Sequence, residues 1–228
     1  MLATFLIEFG FAFYTLWRYK MDTVRRLAFV TLISLGTFQL AEYMICGGLG
    51  WTHVQWARIG YAAITLLPAL GIHMVVALAG KKMTALVVTA YASCAAFLAF
   101  YVFSAGSMIG QECSANYAVF HTYSSISWLF GAYYYGWLFI GTILAVKFSQ
   151  ELPKRKKALM GMAIGYMTFI LPTTFFNLVD PTTVAAIPSI MCGFAVLFAL
   201  ALVSRVLPGS CQVRNSFQGL RQKFQLRI

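Results

Sequence analysis

Seven apolar stretches divide this chain, each close to the length of a bilayer-spanning helix, and almost every cation falls in alternate gaps between them. The stretches cover residues 2–17, 27–45, 56–79, 85–108, 124–146, 158–178 and 184–207. A helix rises ~1.5 Å per residue, so ~20 apolar residues cross the ~30 Å of hydrocarbon in a membrane. Backbone polar groups in lipid must bond within their own segment, which makes helices the natural form for such stretches. Composition excludes an ordinary soluble domain, since 61% of residues are hydrophobic, 10% are charged and mean hydropathy is +0.77. The pattern predicts an all-α polytopic bundle of seven transmembrane helices over 1–208, followed by a short basic cytoplasmic tail over 209–228.

The charges orient this bundle. Arg18, Lys20, Arg25, Arg26, Lys81, Lys82, Lys147, Lys154, Arg155, Lys156, Lys157 and Arg205 fall on one side, together with Arg214, Arg221, Lys223 and Arg227 of the tail. Arg58 alone of the seventeen Lys and Arg falls on the other. Short cytoplasmic loops retain Lys and Arg, so the N-terminus is expected outside and the C-terminus inside. The net charge of +11 is thus a topology signal that also attracts anionic membrane lipids. No basic soluble domain exists to carry nucleic-acid binding. The first stretch has neither a basic leader nor a small-residue cleavage site, and is expected to stay as a helix. In the tail, Val213, Phe217, Leu220, Phe224 and Leu226 alternate with basic residues, a pattern suited to lying on the inner leaflet.

Polar residues inside the spans are few, and each needs a reason to be there, because an ionisable group in hydrocarbon costs ~2.5–3.5 kcal/mol on insertion scales. Glu42, Arg58, His121, Asn177 and Asp180 all lie within about two helical turns of the outer ends. In a compact bundle they would gather around a polar cavity open to the exterior, where a small ligand can bind; a structural Glu42–Arg58 pair is the plainer alternative. Glu8 stands mid-span, so its carboxyl must be protonated or bonded to a neighbouring helix. It is either a packing group or part of a proton relay with His73 or Glu42. His73 follows Pro68 and Gly71, which predict a kink. A bond to a carbonyl on the next helix suits it better than haem, because His121 is ~20 Å away in depth.

Aromatic residues crowd the fifth span, where Tyr133, Tyr134 and Tyr135 cannot all face lipid and at least one hydroxyl must find a partner in the bundle. Tyr134 is the candidate for lining a pocket for an apolar or lipidic ligand. Pro172 and Pro188, with Pro68, are expected to kink three spans. The five cysteines form no CxxC motif and have no neighbouring His, so no metal site and no cofactor is expected. Cys46 and Cys113 both fall in outer loops, in an oxidising compartment, and are candidates for a disulfide.

Three stretches carry a resemblance: FQLAEYMI at 38–45, WARIGYAAITLLPALGIHM at 56–74, and AAIPSIMCGFAVLFALALVSRVLP at 185–208. They resemble the seven-helix membrane module at the N-terminus of some bacterial histidine kinases, and related stand-alone bacterial seven-helix proteins of unknown function. The resemblance implies a bacterial inner (plasma) membrane protein in a sensory role. No output domain follows Pro208, so signalling would pass to a separate cytoplasmic or membrane partner through the basic inner loops. A lysine for retinal is missing from the last span, and no histidine cluster, GxSxG, HExxH or P-loop occurs. The sequence therefore reads as a sensory or accessory protein, and not as an enzyme. A small proton-coupled transporter using Glu8, Glu42 and His73, or a subunit of a larger complex, is the alternative.

Overall fold

The computed structural model describes residues 1–47, 52–104, 107, 110–113, 118–121, 124–179 and 186–210. Among them are seven α-helices: α1 (Leu2–Arg18), α2 (Thr23–Gly47), α3 (His53–Ala79), α4 (Thr84–Phe103), α5 (Ser124–Glu151), α6 (Lys156–Val179) and α7 (Ile187–Ala201). Six stretches, those from α2 onward, are long and apolar enough to cross a membrane, whereas α1 has 17 residues. The chain is an integral membrane protein built as an α-helical bundle.

Its outer surface is apolar. Phe13, Trp17, Val88, Phe103, Trp128, Ile143, Phe175 and Leu178 are exposed, as suits helices solvated by lipid chains. The centre belongs to α3, which packs against α2, α4, α5 and α6. Helix α1 lies on α2 and α7 at the periphery.

Side chains close the two ends of the bundle differently. At one end, α3 begins with a capping box in which Thr52 and Gln55 satisfy each other's backbone N–H groups. Nearby, His53 Nδ1 bonds the Ile45 carbonyl at 2.8 Å. The Arg58 guanidinium donates to the Ser104 carbonyl at 3.0 Å, capping α4. That task accounts for Arg58, the one Lys or Arg side chain at this end among the described residues. The opposite end carries the basic residues. There α3 stops at Gly80, whose φ of 62° is the left-handed conformation of a helix cap. Arg155 donates to the Leu78 carbonyl at 2.7 Å, and Lys81 pairs with Glu151.

Three departures from the sequence pattern have local causes. The fourth helix ends at Phe103, not near 108, and a two-stranded antiparallel hairpin follows, β1 (Gly110–Cys113) with β2 (Ala118–His121). Strands this short leave no alternation to read. Pro188 sits in the first turn of α7, where a proline has no helical N–H to lose, so it starts the helix and does not kink it. Lastly, the final helix widens into a π turn at Leu202–Val206 before running on to Ser210.

The hairpin closes one end. Cys46 at the end of α2 is joined to Cys113 of β1 by a disulfide, with a Cα–Cα distance of 5.7 Å. Phe120 of β2 packs against Phe38 and Tyr61, at ring-centroid distances of 5.9 and 5.4 Å.

Candidate functional site

On α1 the buried residues are Glu8, Ala12 and Thr15, spaced i, i+4, i+7, which turns the only acidic side chain of that helix into the bundle. Gly36 of α2 permits the approach. A Cβ at that position would collide with the Phe9 ring and come within 3.6 Å of the Glu8 Cβ. Within two turns of Gly36 along α2, Gln39 and Glu42 are buried. Helix rise puts Glu8 ~10 Å and Glu42 ~8 Å inside the hairpin-side ends of α1 and α2.

The two carboxyls are enclosed, at 0% and 1% exposure, and lie within electrostatic range of each other. Glu42 accepts the backbone N–H of Ala118 at the start of β2. The same N–H points to Ser189 Oγ at 3.0 Å, so the hairpin is bonded directly over the pair. Among the described residues, one oxygen of Glu42 and both oxygens of Glu8 have no hydrogen-bond partner. Gln39 accepts from Thr4 at 2.7 Å while its amide nitrogen is also unpartnered. Buried polar groups usually find a partner, so four such atoms on three neighbouring side chains mark this spot out. The Met1 ammonium acts on both carboxyls, and Cys192 of α7 is within electrostatic range of both.

Cys192 also lines a small void, together with Leu35, Leu67, Tyr134, Tyr166 and Met191. Its volume is about 20 Å³, room for a single water. No family model, curated protein or solved structure matches this chain. The chemistry of the site must therefore be read from its own atoms.

The residues expected to gather at the outer side face different neighbours. Glu42 lies within electrostatic range of Glu8 and Cys192 and is bonded by the hairpin, whereas Arg58 turns to the end of α4. His121 belongs to β2 and Asn177 to α6, but their side chains lie outside the described residues, as do Asp180 and the tail over 211–228. Tyr134 is buried and lines the small void. The deep hydroxyl that finds a partner is that of Tyr133, which donates to the Thr65 carbonyl at 2.7 Å.

His73 is elsewhere. Its Nδ1 lies 3.2 Å from the Tyr91 hydroxyl on α4, with the two rings edge to face, so its partner is a hydroxyl where a carbonyl was expected. Among the described residues, no three His, Cys, Asp or Glu side chains come together as metal ligands do. Sequence reading also passed over His53, Ser189 and Cys192. Ser189 and Cys192 are three residues apart on α7 and so share its inward face, a periodicity hidden by the apolar residues around them.

Proposed function

We propose that this chain is a seven-span protein of a bacterial inner membrane, N-terminus outside, which senses protons through the Glu8–Glu42 pair and signals to a separate partner through its basic inner loops. One observation carries the proposal: Glu8 is fully enclosed among apolar helices, yet both of its oxygens lack a hydrogen-bond partner. A carboxyl kept only for packing would be bonded, because leaving it unsatisfied costs stability. A proton is the ligand that suits two enclosed carboxyls within electrostatic range of each other. The adjoining void admits one water, which argues for a proton in preference to an organic or lipidic molecule.

Two independent features support the orientation. Lys and Arg collect at the end away from the hairpin, as cytoplasmic loops do. The Cys46–Cys113 disulfide lies at the hairpin end, which suits an oxidising exterior. The seventh span is α1, whose 17 residues reach ~25 Å and which exposes Leu6, Phe13 and Trp17 on its outer face. Protons would arrive past the hairpin and meet Glu42 first, with Glu8, Cys192 and the Met1 ammonium as the titratable groups around it.

Hydrogen exchange tests the proposal, on protein in nanodiscs at acidic and neutral pH. Acidification is expected to change exchange in the basic loops over 80–83 and 152–157, and Glu8→Gln is expected to abolish that change. Equal exchange in Glu8→Gln and wild type would sink the sensory reading. Proton flux in proteoliposomes, lost in Glu8→Gln, would instead establish the transporter.

A further inference from the structure

The basic end holds a groove, beside the 152–157 loop, whose occupant the proton-sensing proposal leaves unassigned. Its first wall is the start of α6, where the turn Pro153–Arg155 hands over to Lys156 and Lys157. The second wall is the π turn Leu202–Val206, which carries Ser204 and Arg205. These walls touch at their base. A Cβ on Gly161 would lie 3.1 Å from the Arg205 Cβ, and one on Gly209 would lie 3.1 Å from Ala158. Above that floor the groove opens to about 690 Å³, lined by Lys156, Lys157, Met160, Ser204, Arg205 and Pro208.

Other cations at this end already have work. Arg25 pairs with Asp22, Lys81 with Glu151, and Arg155 bonds the Leu78 carbonyl. Lys156, Lys157 and Arg205 are exposed and have no ion pair among the described residues. Three like charges brought to one groove repel each other until an anion neutralises them. Met160 and Pro208 add apolar surface beside the charges, and the groove sits where α6 enters the bilayer. An amphiphilic anion satisfies both halves of this lining; a free inorganic anion would use only the charged half.

We infer that this groove binds the phosphodiester headgroup of an anionic phospholipid, held by Lys156, Lys157 and Arg205, with the lipid's glycerol and upper chains against Met160 and Pro208. Basic pockets between helices on the cytoplasmic side are suited to such headgroups. The orientation proposed above decides only that the inner leaflet supplies the lipid.

Native mass spectrometry of the full chain, delipidated and titrated with phosphatidylglycerol or phosphatidylcholine, tests the assignment. Wild type is expected to bind phosphatidylglycerol more tightly. The triple variant Lys156→Ala, Lys157→Ala, Arg205→Ala is expected to weaken it on the order of 100-fold. A control triple of equal charge change at exposed sites of the same end, Arg26→Ala, Lys82→Ala, Lys147→Ala, is expected to retain most of the affinity. Equal binding of the two lipids would overturn the site, and so would equal losses in the two triples. Displacement of the lipid by inorganic phosphate would overturn it as well, by showing a site for a free anion. Glu8→Gln, which disables the proton site, is expected to leave lipid binding unchanged, so the two proposals fail separately.

Discussion

The two ends of this bundle handle charge in opposite ways. At the basic end, most cations are exposed, and several pair, cap a helix or line an open groove. At the hairpin end, two carboxyls are withdrawn ~8–10 Å into the bundle and covered by a strand, a disulfide and aromatic rings. Exposed charge costs a membrane protein little and records which side faces the cytoplasm. Enclosed charge is expensive, and therefore reports a use. On the proposed reading, topology and function are written at different ends.

Removing the cover should give the largest effect. Cys46→Ser or Cys113→Ser releases a constraint spanning 67 residues, worth about 2–4 kcal/mol in chain-entropy terms. The inserted helices already restrict the chain, so the loss is expected near the lower value, with chemical reduction lowering the melting temperature of wild type to that of the variant. An unchanged melting temperature would mean that the hairpin does not brace the bundle. Next comes Gly36→Leu, which fills the space the Phe9 ring occupies. Overpacking there should cost about 1–3 kcal/mol. It should also separate Glu8 from Glu42, so that the loss of pH response accompanies the loss of stability.

A smaller effect of opposite sign is expected for Glu8→Met. An apolar side chain of similar size relieves the unbonded carboxyl; replacing whole buried ion pairs is neutral to stabilising, so a gain of about 1 kcal/mol is expected for this single group. A rise in melting temperature with loss of pH response is the signature of a functional carboxyl retained at a stability cost. A fall would make Glu8 a packing group. Lys81→Ala closes the series. Its partner Glu151 is at the surface, and exposed pairs add little, so thermal unfolding should match wild type within error.

Sequence reading reached the bundle, because the bilayer punishes polar backbone and sorts cations by side. It also reached Cys46 and Cys113 as residues of one compartment. It named His73 and Glu42 as alternative partners of Glu8 but could not choose between them, since helical periodicity says which face is buried but not which helix it meets. Pro188 was misread because a proline at a helix start and one inside a helix look alike within an apolar run. The π turn at Leu202–Val206 is invisible for a related reason: every residue but Ser204 and Arg205 is apolar in either helical form.

Infrared difference spectroscopy across pH, on wild type, Glu8→Gln and Glu42→Gln in nanodiscs, tests the central claim most directly. The chain has only six acidic residues, so the carboxyl region is simple enough to assign. The pair is predicted to lose its protons in two steps, both of which each single variant shifts, because the steps of coupled groups belong to the pair and not to either residue. A band unaffected by Glu8→Gln, or two bands that respond to the variants independently, would contradict a shared proton site.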